Sequence, residues 1–213
     1  MYQPPHFRED RPEIQHALIR AHPLGLLVTV GKTGLTANPL PFMLHADASP
    51  NGTLRAHLSR ANPQWQDFDP SQEALVVFQG VETYITPSWY ETKRETGKVV
   101  PTWNYAIVQV YGPLIVRDDP EWLRIQVGEL TSRHEENRAA PWAVEDAPEA
   151  FIASQLKGIV GIEIPISRIE GKWKASQNRP ETDRLGVSEG LRTSSDDASR
   201  NMADLVDARG AKG

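Results

Sequence analysis

The sequence predicts a mainly β, antiparallel domain with flanking helices, closed or partly closed into a barrel. Three observations carry this reading. Short β-rich runs alternate with turn residues from Leu24 to Leu58. The stretch 102–116 is β-like almost throughout. Longer helical periodicity is confined to the segment before Leu24 and to segments after Pro120.

Asp10, Arg11, Pro12 and Glu13 read as a helix start, with Asp10 as the cap and proline in the first turn. Ile14, Ala17, Leu18 and Ala21 then recur on one stripe, and His22-Pro23 ends the helix. LGLLVTV, a GKTG turn, LTANPLPFML, a DASPNG turn and TLRAHL form a meander. ANPQWQDF reads as a short helix, and ALVVFQG with VETYIT as two strands or one bent strand. NYAIVQVYGPLIV follows, bent or bulged at Gly112-Pro113. Pro120 to Asn137 and Pro148 to Leu156 are helical, and GIVGIEIPISRIEGKWKAS returns to strand. Residues 1–180 are thus expected to form the barrel domain and 181–213 a helical tail on or beside it. Met202, Leu205 and Val206 make only a thin stripe, so the tail should pack lightly or fray.

A chain of 213 residues that is 39% hydrophobic can bury a core. With 24% charged residues and a net charge of −5, it has no general attraction to phosphate backbones, so DNA contact would need a local basic patch. No basic start leads into an apolar run, and no apolar stretch spans a bilayer; a soluble cytoplasmic protein without a membrane partner is expected. Cysteine is absent, which excludes disulfides and thiolate chemistry. The six histidines lack the spacing of a metal site, and neither a Walker loop, G-x-G-x-x-G nor G-x-S-x-G occurs.

Five clusters remain: MYQPPHF, TANPLPF, HLSRANPQW, TPSWYETK with VPTWNY, and KWKASQNR. In this order and spacing the chain resembles the PaiB-like FMN-binding regulators, from Met1 to about Met202. The resemblance implies an FMN-binding split β-barrel working as a homodimer with shared flavin sites, and a negative regulator of transcription. An alternative is a small FMN-dependent oxidoreductase using NAD(P)H, since fold alone does not decide function. No helix-turn-helix with a basic recognition helix is legible, so regulation without direct DNA contact stays open.

FMN needs an anion cradle, a flat apolar slot and donors along the ring edge. Ser59, Arg60 and Asn62 stand where a strand leads into a helix start and could converge on phosphate; otherwise Ser59 or Asn62 caps the helix and Arg60 is a solvated charge. Lys172, Lys174 and Ser176 share a face if extended, with Gln177 following as an amide donor. An edge strand guarded by lysines explains the same residues. Trp89 and Trp103 are candidates for ring contact, with Lys93 between them, although aromatics at this density commonly form core or interface. Pro39 and Pro41 mark an edge or bulge, and the resemblance implies that this strand runs along the flavin ring, making Asn38 a candidate for the ring edge. An edge strand kept from aggregating by proline explains the same residues equally well.

Overall fold

The computed structural model describes residues 1–210. In chain order the elements are β1 (Arg8–Glu9), α1 (Pro12–Ala21), β2 (Leu24–Gly31), β3 (Gly34–Pro41), β4 (Met43–His45), β5 (Thr53–Ser59) and β6 (Ala74–Ile85). They continue as α2 (Glu91–Thr96), β7 (Thr102–Gly112), β8 (Ile115–Arg117), α3 (Pro120–Glu135), α4 (Glu149–Leu156), β9 (Ile159–Pro165), β10 (Arg168–Lys174), α5 (Glu181–Arg192) and α6 (Asp197–Gly210). The strands fall into two separate sheets rather than one closed cylinder. Two compact units result: one from Met1–Ala21, Gln79–Val108 and the chain from Glu170 onward, the other from His22–Phe78 and Gln109–Ile169.

In the unit containing His22–Phe78, β2 lies between β6 and β3, and a second sheet runs β4-β5-β9-β8. Leu27 on β2, Val76 and Phe78 on β6, and Leu54, Ala56 and Leu58 on β5 are buried. On β5 and β9 the pairs Leu54 with Ile164, Ala56 with Ile162 and Leu58 with Val160 stack one apolar face. The opposite face of this sheet is polar: Glu163 accepts from Arg55 at 2.9 Å and Arg117 at 2.7 Å. The His57 imidazole shares a 2.7 Å hydrogen bond with buried Gln126 of α3.

Local chemistry sets the breaks. β3 pairs with β2 and ends the strand order, so the missing N–H groups of Pro39 and Pro41 leave no ladder bond unmade on its outer side. β7 stops at Gly112, where a Cβ would lie 2.1 Å from the Pro165 carbonyl oxygen. ALVVFQGVETYI is one continuous strand. The ANPQWQDF helix shrinks to a three-residue 3-10 turn, Pro63–Trp65.

In the other unit, α1 departs from its expected cap and stripe. Asp10 accepts from Arg8, and the first turn closes on the Arg11 carbonyl. Ala17 and Ala21 are exposed, whereas Gln15, His16, Leu18 and Ile19 are buried. Gln15 tolerates burial because its amide donates to the Glu9 carbonyl at 2.7 Å.

The lightly packed tail is also overturned. Met202, Ala203 and Val206 of α6 are buried in one cluster with Val187 and Leu191 of α5 and with Ile85, Tyr90 and Ala175. The stripe is narrow, yet every residue on it meets an apolar partner. Arg192 of α5 adds 2.8 Å contacts to Asp204 and Asp207, and Arg209 reaches buried Glu9 at 2.5 Å.

Deleting residues 194–213 is therefore expected to abolish cooperative unfolding of this unit, and Met202→Ala to cost about 2–5 kcal/mol in chemical denaturation; an unchanged midpoint for both overturns the packing argument. A second prediction concerns Glu9. Burial pushes its carboxyl up, but hydrogen bonds from Arg11 and Arg209 outweigh this and bring it from 4.5 to about 2. Its stabilisation is complete above about pH 4.5 and is lost as pH falls toward 2. Glu9→Gln should flatten the acid limb of stability against pH between those values; a limb identical to the parent's refutes the assignment.

Candidate functional site

Strand alternation along β7 sends Asn104, Ala106 and Val108 into the interior and leaves Trp103 and Tyr105 on the outer side. Trp103 is 53% exposed, and its ring meets Tyr84 edge to face with centroids 6.0 Å apart. The Lys172 ammonium stands 5.3 Å from the Tyr105 ring and 5.6 Å from the Tyr2 ring. Lys174 donates to the Thr102 hydroxyl and, at 2.5 Å, to the Trp103 carbonyl oxygen. Among the described residues Lys174 therefore has neutral partners and no carboxylate. Burial, then repulsion from Lys172 and Arg179, holds it below the usual lysine range. Aromatic faces and two ammonium groups thus share one surface, a donor set suited to a flat anionic ligand.

The expectation of one extended face through Ser176 fails. β10 ends at Lys174, and Ser176 takes a φ of 60°, a left-handed conformation unusual for serine. Its buried hydroxyl accepts from the Asn104 amide at 2.9 Å. Nor is β10 an edge strand, since it lies between β1 and β7. Gln177 turns back on its own segment, accepting from the Ala175 N–H at 2.7 Å and donating to the Trp173 carbonyl at 2.5 Å. Ser176 and Gln177 shape the turn that presents Lys174. Sequence reasoning missed Asn104, although a polar residue alternating with Ala106 and Val108 was the available signal.

Trp89 packs against α5, where a Cβ on Gly190 would fall 2.4 Å from its indole ring and one on Gly186 2.1 Å from its carbonyl oxygen. Lys93 is exposed and contacts the Ser88 hydroxyl at 3.2 Å.

Asn38, Ser59, Arg60 and Asn62 fall in the other unit. Asn38 donates to Gln64 at 2.9 Å, and the Asn62 side chain caps the Gln64 N–H at 3.0 Å. Gln64, also missed, is buried and further bonds Thr29, Leu27 and Thr36. The exposed Ser59 hydroxyl accepts weakly from the Ala61 N–H at 3.3 Å. Arg60 is heavily engaged: Asp118 takes its fork at 2.9 and 2.5 Å, and the Lys157 and Ile159 carbonyls accept at 2.9 and 3.0 Å. Among the described residues, no group of three or more histidine or acidic side chains is arranged to hold a metal.

Mainly antiparallel sheets with flanking helices place the protein in the split-barrel fold class. Solved structures share the fold. A conserved protein of Mycobacterium tuberculosis matches with a TM-score of 0.58 at 14% identity, covering 85% of this chain and 95% of that one. The FAD and heme binding protein of Mycobacterium smegmatis matches with a TM-score of 0.57 at 16% identity, covering 78% and 73%.

Residues 1–168 match the family model described as "Putative FMN-binding domain", and the chain belongs to that family, whose cofactor is FMN. It is 32% identical to Protease synthase and sporulation protein PAI 2 of Bacillus subtilis, with 97% of each chain covered. It is 37% identical to a protein of Emericella nidulans, covering 95% of this chain and 94% of that one.

Ser176→Ala should leave the buried Asn104 N–H without an acceptor and cost about 1–3 kcal/mol in urea denaturation. No loss of stability would show that this hydrogen bond does not hold the turn.

Proposed function

We propose that this protein is an FMN-dependent regulatory homodimer, with the flavin on the outer face formed by β7 and β10. The observation that carries the reading is the convergence of Lys172 and Lys174 with Trp103 and Tyr105 on that face. The lysines suit the phosphate, and an aromatic ring suits the flat isoalloxazine. Bound FMN supplies one- or two-electron redox chemistry. Ser176, Asn104 and Gln177 position the lysine-bearing segment. The competing phosphate seat is Ser59, Arg60 and Asn62, with Asn38 on the ring edge; it requires Arg60 to leave Asp118.

A regulatory role is supported by similarity to the sporulation-associated relative, and the net charge of −5 favours action through a partner over broad DNA contact. No helix among the described residues is long and apolar enough to cross a membrane. The homodimer is supported by two exposed apolar surfaces. Tyr84 and Trp103 form one; Leu24, Leu26 and Val30 of β2 with Leu35 of β3 form the other, and Leu35 is 77% exposed. A second copy would cover such a surface isologously.

The protein as purified should be yellow, with a flavin absorbance spectrum. Lys174→Ala should weaken FMN about ten- to hundredfold by fluorescence titration, and weaken riboflavin, which lacks the phosphate, much less. Full loss on Arg60→Ala with none on Lys174→Ala would move the phosphate to the competing seat. Light scattering should give twice the 23.8 kDa chain mass, and Leu26→Lys with Leu35→Glu should halve it. Rapid reduction by NADH or NADPH followed by turnover of a small substrate, without any effect on a promoter, would replace regulation by oxidoreductase activity.

A further inference from the structure

A cavity of about 410 Å³ opens between the start of α3 and the length of α4, within the range of small-molecule sites. Leu123, Ala153 and Leu156 give it apolar walls, and charged groups stand on the rim. Arg60 and Asp118 form one ion pair there, and Arg124 and Glu149 another at 2.9 Å. Lys157 is exposed and makes no side-chain ion pair or hydrogen bond among the described residues. None of these groups belongs to the face bearing Lys174.

The rim shows which chemistry the seat accepts. Asp118 presents its carboxylate to the Arg60 guanidinium through two bonds, at 2.9 and 2.5 Å. The guanidinium is itself fixed by the carbonyls of Lys157 and Ile159 and lies 5.8 Å from the Trp65 ring centroid. It is therefore preorganised for a planar, two-oxygen anion. Asp118 is half-exposed and its pair with Arg60 lies at the surface, where ion pairs are weak and exchangeable. A ligand carboxylate can replace it if the attached body fills the adjoining apolar cavity, which Asp118 cannot do.

We propose that this cavity is a binding site for a small amphipathic carboxylic acid, with its carboxylate on Arg60, assisted by Lys157, and its apolar body against Leu123, Ala153 and Leu156. Arg60 is then a ligand-sensing residue whose resting partner is Asp118. The proposal rests on the reading that seats the FMN phosphate at Lys174 rather than at Arg60; FMN titration of the Lys174→Ala and Arg60→Ala variants tests that reading separately from carboxylate binding.

The full-length protein, as purified, would be titrated by calorimetry with hexanoate, octanoate and decanoate, using octylamine and octanol as comparators. The acids should bind in preference to both comparators, each added methylene tightening binding about fourfold until the cavity is full. Arg60→Ala should weaken octanoate at least tenfold. Asp118→Asn, which removes the competing charge, should tighten it severalfold. Ala153→Trp fills the cavity from an exposed position and should abolish binding while leaving melting and the flavin spectrum unchanged. Absence of octanoate binding at millimolar concentration overturns the proposal. So does equal binding of octylamine, or an affinity indifferent to Ala153→Trp and Asp118→Asn.

Discussion

The hydrogen bond from Asn104 to Ser176 is the constraint on which the lysine-bearing face depends. Asn104 is wholly buried on a strand whose inward neighbours are Ala106 and Val108. An unsatisfied amide there would cost about 1–3 kcal/mol, whereas a left-handed conformation for a non-glycine residue costs roughly 1–2 kcal/mol. Satisfying the Asn104 amide N–H, whose Oδ1 stays without a hydrogen-bond partner among the described residues, at the expense of Ser176 backbone strain is thus about an even exchange. It also ends β10 at Lys174 and turns the following residues inward. Gln177 completes the turn by binding backbone on both sides. Lys172 and Lys174 are left as the last outward side chains of the strand, beside Trp103 and Tyr105.

Buried charge elsewhere serves attachment. Glu9 is clamped by Arg11 and Arg209, joining the start of the chain to the end of α6 within one unit. Glu163 is clamped by Arg55 and Arg117 beneath α3 in the other. Burial alone would raise both carboxyls; in each case two guanidinium groups reverse the sign. α3 carries few buried apolar residues, principally Leu123, and Trp122 enters above Gly161, where a Cβ would fall 2.3 Å from its ring. The helix is seated by specific polar partners as much as by apolar area, which fixes its position more sharply than area alone.

Much of the fold was legible because strand and turn signals are local. The individual strands β2 to β5, the break at Gly112 and the helices after Pro120 follow from side-chain alternation, glycine, proline and helical spacing. The expected single meander, however, is two antiparallel pairs, β2 with β3 and β4 with β5, in different sheets. The packing of α6 was not legible, because a thin stripe says nothing about what it meets; Ile85, Tyr90 and Ala175 come from distant parts of the sequence. The buried face of α1 was not legible for a related reason: the expected stripe of Ile14, Ala17, Leu18 and Ala21 leaves out Gln15, His16 and Ile19. A glutamine looks like surface until the Glu9 carbonyl is found beside it. In the candidate site, the shared face of Lys172 and Lys174 was legible by period two, but Gln177 and the inward turn of Ser176 required knowing that Asn104 was buried.

The candidate cations differ less in their charge than in what already holds them. Arg60 looked the better phosphate ligand in the sequence, since a guanidinium after a strand and before a helix start is a familiar anion seat. In the structure its donors are directed at a carboxylate and two carbonyls, and that hydrogen bonding to Asp118 holds its pKa above the ordinary value. Lys174 is in the opposite position. Burial and neighbouring cations disfavour its charge, and its partners are a hydroxyl and a carbonyl. An incoming dianion would relieve repulsion at Lys174, whereas at Arg60 it would first have to displace an anion already there. The same contrast makes Arg60 the natural seat for a ligand that brings an apolar body with its carboxylate, because only the added burial distinguishes such a ligand from Asp118.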